Sequence, residues 1–178
     1  MRNRGKRDKV EVMKILRVFA IGLTIFWMAV IFHFSAETGM ESHEISDQVT
    51  LLFCKVVHRF TGRDLVVSLT AHQYAVLELC FRKMAHMGIY CMLSFSTMLV
   101  LFTFPLGMLF RMAVSLIFCV VYACSDEFHQ MLVEGRSPKA LDVMIDSTGA
   151  VTGIIGALLF FCVVYTIYHS RRNRQMRR

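Results

Sequence analysis

Ionisable and hydrogen-bonding side chains flank or interrupt the apolar stretches of this 178-residue chain at several separate places. They are Ser35, Glu37, Arg82, Lys83, His86, Asp126, Glu127, His129, Gln130, Arg136, Asp142 and Asp146. A charge beside hydrocarbon costs at least about 2.5–3.5 kcal/mol, so it requires a compensating role. Because imidazoles, carboxylates and guanidinium groups occur together, the set is suited to acid–base chemistry or to binding an anionic group.

The spacing of these residues places acids and bases on shared helix faces. Asp126 stands three residues before His129 and four before Gln130, so one face can present a carboxylate, an imidazole and an amide. Asp126, Glu127 and His129, together with His86, are the predicted catalytic groups. The same carboxylates could instead neutralise cations across the bundle as a structural network, and the sequence leaves both interpretations open.

A second group of residues is predicted to bind a substrate. These residues are Ser35, Arg82, Lys83, Gln130, Arg136, Asp142 and Asp146. Arg82 and Lys83 could alternatively extend to lipid headgroups. Arg136 could grip a phosphate or carboxylate with its planar fork, or it could cap helix-end carbonyls. Asp146 could pair with an arginine in place of touching a ligand.

Neither a metal nor another cofactor is predicted from the sequence. No H-E-x-x-H or C-x-x-C spacing occurs, and the nearby cations Arg82 and Lys83 oppose a dication. The cysteines in apolar stretches are interpreted as small apolar side chains: Cys91, Cys119, Cys124 and Cys162. A disulfide between Cys54 and Cys80 is a further alternative.

The elements that must position these residues are membrane helices. Hydrophobic residues make up 56% of the chain, above the roughly 45–50% of soluble domains. Four apolar stretches, 16–34, 84–104, 108–128 and 143–168, reach or approach the ~20 residues needed to cross a bilayer. The sequence therefore predicts an all-α integral membrane bundle of four transmembrane helices over 16–168, between a basic N-terminus 1–15 and a basic tail 169–178.

Basic residues near both chain ends determine the predicted orientation. The net charge is +7, and the excess lies before the first span and after the last. By the positive-inside rule both termini are cytoplasmic, so the segment 37–83 and the connection 130–142 are outside. All the polar blocks then meet at the extracytoplasmic ends of the spans. Flanking charge of this kind indicates lipid headgroups as partners, and no nucleic-acid partner is predicted.

The predicted outer segment contains an extracytoplasmic amphipathic helix. Its apolar stripe consists of Val49, Leu52, Phe53, Val56, Val57 and Phe60. Lys55, His58 and Arg59 lie on the opposite face. Such a helix lies either in the plane of the membrane interface or packed over the mouth of the bundle, and the pattern favours neither.

Two local motifs predict how the second and fourth spans are built. Thr70-Ala71-His72-Gln73 is typical of a capping box and predicts the start of a helix that continues into the second span. The spacing Gly149-x-x-x-Gly153 in the fourth span predicts close contact with another helix.

Four motifs resemble the VanZ-like family of bacterial membrane proteins and span about 27–156. They are Phe34-Ser35-Ala36-Glu37, Arg82-Lys83-x-x-His86-x-x-x-Tyr90, Tyr122-x-x-x-Asp126-Glu127-x-His129-Gln130 and Gly135-Arg136-x-x-x-x-x-Asp142-Val143. The resemblance implies a small multi-pass protein of the bacterial cell membrane. The founding member is associated with resistance to the glycopeptide antibiotic teicoplanin, so the resemblance implies a role in the cell envelope.

Two hypotheses for the function follow. In the first, a charged pocket at the outer membrane surface binds, and can modify, a lipid headgroup, a cell-wall precursor or a lipoglycopeptide antibiotic. In the alternative, the protein is a non-enzymatic accessory or scaffold that binds a membrane partner, and the charged cluster is structural. Whether the protein is an enzyme is left open, and glycine-rich packing permits a homodimer. Transport is disfavoured because the polar groups cluster at one end of the spans.

Overall fold

Six α-helices make up the chain in the computed structural model, which describes the backbone of residues 2–137 and 139–176 and the side chains of 10–137 and 139–174. They are α1 (Arg2–Ser35), α2 (Gly39–Thr61), α3 (Leu65–Ser68), α4 (Ala71–Phe102), α5 (Met108–Gln130) and α6 (Ala140–Met176). No strand occurs in these ranges, which confirms the all-α prediction. Of the predicted basic ends, the side chains before Val10 and the last residues of the tail lie outside the described residues.

Four helices are long and apolar enough to cross a membrane: Val10–Ser35 of α1, all of α4 and α5, and Ala140–Arg174 of α6. They overlap the four predicted spans and confirm the membrane bundle. Helix α4 starts at the predicted capping box, where the Gln73 amide N–H donates to Thr70 Oγ1 at 3.3 Å and the Thr70 amide to Gln73 Oε1 at 2.9 Å. Its end at Phe102 comes slightly before the predicted limit at 104.

Glycines allow α4 and α6 to pack closely. Gly149 lies against the main chain of Met87, and Gly153 lies against the main chain of Cys91 and the hydroxyl of Ser94. A Cβ atom at either glycine would overlap these atoms. The close helix contact predicted from the glycine spacing is therefore confirmed, and α6 is the partner of α4 in it.

The interior of the bundle is small, as expected when lipid solvates the outer faces. Its buried apolar residues are Ile31, Tyr90, Leu93, Cys119, Ala123 and Ala150 in one cluster and Met98, Ile154 and Ala157 in a second. Large apolar side chains such as Phe19, Ile117 and Leu159 are more than half exposed. These exposed side chains form the surface that faces acyl chains in a bilayer.

The turn between α4 and α5 is tied to α1 by Arg17. Its guanidinium donates to the carbonyl oxygen and to the hydroxyl of Thr103, both at 3.0 Å, and lies 4.0 Å from the centre of the Phe104 ring. Arg111 donates to the Phe104 carbonyl oxygen at 2.9 Å. These contacts fix the bundle at the end opposite to most of the unusual polar residues.

Helix α2 packs on α4 through small, mainly polar side chains. Its buried residues, spaced four apart, are Ser42, Ser46, Thr50 and Cys54. The predicted apolar stripe is largely exposed: Leu52 is 62% and Phe60 84% accessible. Part of the stripe still faces α4, since the ring centres of Phe53 and Phe81 lie 5.2 Å apart, whereas Leu52 and Phe60 are left exposed.

The predicted alternative of a Cys54–Cys80 disulfide is wrong, because both residues are free cysteines. Cys54 is buried on the α2 face that packs on the bundle, whereas Cys80 is exposed on α4. Of the cysteines in spans, Cys119 is buried as expected, but Cys124 and Cys162 are exposed on outer faces of the helices.

Replacing Gly153 with alanine is expected to destabilise the bundle by about 1–3 kcal/mol, because the added Cβ meets the Cys91 main chain. Gly156→Ala is the matched control: its Cβ lies 3.9 Å from a ring carbon of Phe95, and alanine favours a helix by up to about 1 kcal/mol. Thermal unfolding in detergent, followed by circular dichroism, compares the two variants. Equal midpoints would contradict the tight α4–α6 contact.

Candidate functional site

One end of the bundle gathers the unusual polar residues, and we call it the polar end. It consists of the C-terminal ends of α1 and α5, the loop residues 131–137 and 139, the start of α6 and the adjoining part of α4. Side chains and main chain of these five segments are hydrogen-bonded to one another, as described below. Separate sequence segments therefore converge at one level of the bundle.

A cavity of about 280 Å³ opens at the polar end, and we call it the polar cavity. Seven predicted site residues line it: Arg82, Lys83, His86, Glu127, Gln130, Arg136 and Asp142. Lys139 adds a fourth cationic side chain, against the two carboxylates of Glu127 and Asp142. Positive charge therefore exceeds negative charge in the lining.

An ion pair between Lys83 of α4 and Asp142 of α6 crosses the polar cavity. Glu127 of α5 accepts a hydrogen bond from the main-chain amide of Lys139 at 3.0 Å. This second bond holds the residues that precede α6 against α5. The two contacts together set the positions of three helices around the cavity.

Arg136 caps the end of α1. Its Nε donates to the Glu37 carbonyl oxygen at 3.1 Å and its Nη2 to the Phe34 carbonyl oxygen at 3.0 Å. Of the two predicted roles, the structure therefore contains the capping of helix-end carbonyls. Burial lowers the pKa of Arg136 below its ordinary value, and the neighbouring Arg82 lowers it further, although an arginine stays charged in proteins.

Two glycines let the Arg136 loop dock on the start of α2. Gly135 has a φ of +74°, which favours glycine, and the Gly39 amide donates to the Glu134 carbonyl oxygen at 3.1 Å. A side chain at Gly39 would overlap the main chain of Gly135. The docking places Arg136 beside the end of α1.

Glu78 is a site residue that the sequence analysis missed. It is only 5% exposed, and Arg82 Nη2 donates to its Oε1 at 2.9 Å. The same oxygen accepts a hydrogen bond from Ser46 and contacts the ring of His43, so it ties α2 to α4. The sequence signal for this pair was the four-residue spacing between Glu78 and Arg82, which places them on one helix face. Glu78 was overlooked because it precedes the predicted second span.

The predicted catalytic set is divided between the cavity and the α1–α5 interface. His129 Nδ1 lies 3.2 Å from the hydroxyl of Ser35, and its ring packs on Phe32 with centres 4.6 Å apart. Gln130 Nε2 donates to Asp126 Oδ2 at 3.1 Å. Neither His129 nor Asp126 lines the polar cavity, whereas His86 and Glu127 do.

Below the cavity, three titratable residues from three helices approach one another: His86 of α4, Asp126 of α5 and Asp146 of α6. One ligand atom from each lies within 4.8 Å of the others. Asp146 is 1% exposed, and its Oδ2 has no hydrogen-bond partner in the described part of the chain. The predicted alternative of an arginine partner for Asp146 is not found there. A ring nitrogen and two carboxylates are donors that could hold a metal ion.

A second cavity, of about 150 Å³, adjoins the first between α2 and α4, and we call it the apolar cavity. Its apolar lining is formed by Phe34, Ile45, Val49, Phe81, Ala85 and Ile89. Arg82, His86 and Arg136 line both cavities, so they stand where a polar space meets an apolar one.

Glu78→Gln is expected to destabilise the protein by about 1–3 kcal/mol, because it removes the negative charge beside the partly buried Arg82. Glu44→Gln, an exposed acid on α2, is the matched control and should have little effect. Hydrogen exchange of α2 and thermal unfolding measure the difference. Unchanged exchange in Glu78→Gln would contradict its role in docking α2.

Comparison with known proteins gives one match. A protein-family model described as VanZ/LLP1 matches residues 20–163, which include all of α4 and α5, most of the first and fourth spans and the polar end. No curated protein and no solved structure matches the chain. Since the match covers most of the chain and agrees with the motifs at the polar end, the chain belongs to the VanZ/LLP1 family of membrane proteins.

Proposed function

We propose that the polar end binds the anionic headgroup of a membrane lipid or of a lipid-linked cell-wall precursor. The observation that carries this proposal is the lining of the polar cavity, where four cations stand against two carboxylates. Guanidinium and ammonium groups of this kind bind phosphate or carboxylate groups. The Nε atom of Arg82 is buried and has no hydrogen-bond partner among the described residues, so this guanidinium has a donor that none of them uses.

The second support for an amphiphilic ligand is the apolar cavity. A headgroup among Arg82, Lys83 and Lys139 would lie next to a space lined mainly by apolar side chains of α2 and α4. Burial of apolar surface contributes about 25 cal/mol per Å², so even part of an acyl chain adds affinity. A free anion would leave the apolar cavity unfilled, whereas a lipid would fill it with part of an acyl chain, so a lipid is the favoured ligand.

A lipoglycopeptide antibiotic presents the same combination of an acyl chain and anionic groups. Glycopeptide resistance is therefore a proposal that rests on the same two cavities. Chemical modification of the ligand would depend on Glu127 and His86, the acid–base groups in the lining of the polar cavity. Asp126 and His129 do not line that cavity, so they would affect the reaction only by positioning the helices that form it.

The proposed orientation places the polar end outside a bacterial cell membrane, with both termini in the cytoplasm. It rests on the positive-inside rule applied to the basic residues near the two ends of the chain. Lipid-linked precursors and glycopeptide antibiotics are encountered at the outer surface, so the orientation and the proposed ligands agree. An even number of spans keeps both termini on one side.

Cysteine labelling tests the orientation. Glu134→Cys in the loop of the polar end and Arg171→Cys near the C-terminus are compared after the exposed Cys80, Cys124 and Cys162 are replaced by serine. A membrane-impermeant maleimide is expected to label Glu134→Cys in intact cells and Arg171→Cys only after permeabilisation. The reverse pattern would place the polar end in the cytoplasm.

Lipid binding is tested with the purified full-length chain and two fluorescent lipids of equal acyl chains, phosphatidylglycerol and phosphatidylcholine. Phosphatidylglycerol is expected to bind more tightly than phosphatidylcholine. Lys139→Gln is expected to weaken the binding of phosphatidylglycerol about fivefold, since one cation near a lipid surface contributes about 1 kcal/mol. Arg171→Gln, at the opposite end, is the control. Competition by an isoprenyl phosphate distinguishes a precursor from a bulk phospholipid. Equal binding of the two lipids would contradict the proposal.

The alternative function is that of an accessory or scaffold protein. The observation that favours it is the exposed stripe of α2, in which Leu52 and Phe60 point away from the bundle. The partner in that case is a membrane protein or a second copy of the chain, which would cover the stripe. If Leu52→Ser abolishes glycopeptide resistance in cells while the purified variant binds lipid normally, that result would support this alternative.

A further inference from the structure

We propose that His86, Asp126 and Asp146 form a binding site for one divalent transition-metal ion, in which His86 is a metal ligand in place of an acid–base group. The three residues come from α4, α5 and α6, and one ligand atom from each lies within 4.8 Å of the other two. Ligand atoms around a four-coordinate ion with bonds of about 2.0–2.2 Å lie about 3.4 Å apart, so binding an ion here requires each pair of atoms to approach by up to about 1.4 Å.

The state of Asp146 is the independent observation that points to an occupant. Its side chain is 1% exposed, and Oδ2 has no hydrogen-bond partner in the described part of the chain. A buried polar atom without a partner costs about 1–3 kcal/mol, and more when it is charged. Tyr90, one helical turn from His86, is fully buried and its hydroxyl also lacks a partner in that part. Two unsatisfied oxygens therefore belong to the same region of the bundle.

The charges around the three residues favour a cation over a water molecule. Three of the nearby cations have partners of their own: Lys83 pairs with Asp142, Arg82 with Glu78, and Arg136 with carbonyl oxygens at the end of α1. Neither Asp126 nor Asp146 forms an ion pair within the described residues. A divalent ion would neutralise both carboxylates, which a water molecule cannot do.

The donor set and its surroundings indicate the class of metal. One imidazole nitrogen with two carboxylate oxygens suits Zn²⁺ or Mn²⁺ and lacks the thiolates that soft ions prefer. The hydrogen bond of 3.1 Å from Gln130 to Asp126 Oδ2 orients that carboxylate, as outer residues do in metal sites. His86 also lines the polar cavity, so an ion can enter from the polar end.

All three residues are among the predicted site residues, but no metal was predicted from them because they come from three helices and form no short motif. Arg82 and Lys83, which seemed to oppose a dication, have carboxylate partners of their own. The sequence analysis disfavoured a metal for two reasons, the lack of a short ligand motif and these two cations, and the pairing of the cations bears only on the second.

Metal content of the purified full-length protein tests the proposal. The chain carries an affinity tag without histidine, is treated with a chelator, equilibrated with Zn²⁺ or Mn²⁺, desalted and measured by plasma mass spectrometry. About one ion per chain is expected with at least one of the two metals. Asp146→Asn is expected to lower the content about tenfold or more. Glu134→Gln, an exposed acid in the loop of the polar end, is the control and keeps the full content.

Two further measurements separate loss of metal from loss of fold. Asp126→Asn and His86→Gln are tested beside Asp146→Asn, and only variants that elute as a single species in gel filtration are compared. The metal is expected to raise the thermal midpoint of the unmodified chain but not of these variants. Metal content below about 0.1 ion per chain with both ions would overturn the proposal. Unchanged content in all folded variants would overturn it as well.

Discussion

The close approach of α4 and α6 is the constraint on which the rest of the structure depends. Gly149 and Gly153 let the two helices meet at main-chain distance, beside Met87 and Cys91. Because the two helices approach so closely, side chains next to the glycines can contact each other across the interface. Lys83 pairs with Asp142 on the side of the polar end, and His86 lies near Asp146. Bulkier residues at the glycines would separate these pairs and open the polar end.

Charge neutralisation determines the arrangement of the polar residues above that contact. In a bundle solvated by lipid, an ionised side chain needs a partner inside the protein. Lys83 and Arg82 find carboxylates, and Arg136 binds the carbonyls that end α1. Many of the polar residues thus hold helices together, as the structural interpretation predicts. The lining of the polar cavity still has an excess of cations, and Asp146 Oδ2 has no partner in the described part of the chain. Holding helices together therefore does not explain every polar residue at this end of the bundle.

Helix α2 combines two faces with different uses. Its serines and threonine pack on α4, where Ser46 and His43 meet Glu78, and its apolar stripe is left exposed. The apolar cavity lies between this helix and α4, next to the polar cavity. A charged space and an apolar space therefore lie side by side in this member of the VanZ/LLP1 family, and the proposed binding of an amphiphile rests on that arrangement.

The sequence by itself determined the class of fold, the four spans, the capping box at Thr70, the glycine contact and the family, because hydropathy and helical spacing are local properties. Only the tertiary structure decided the partners. Arg82 pairs with Glu78 and not with the carboxylates that the sequence suggested. His129 contacts Ser35 of α1, and His86, Asp126 and Asp146 from three helices lie close together. Rotation of a helix about its own axis decides which side chains meet, and that rotation depends on packing against neighbours far away in the chain.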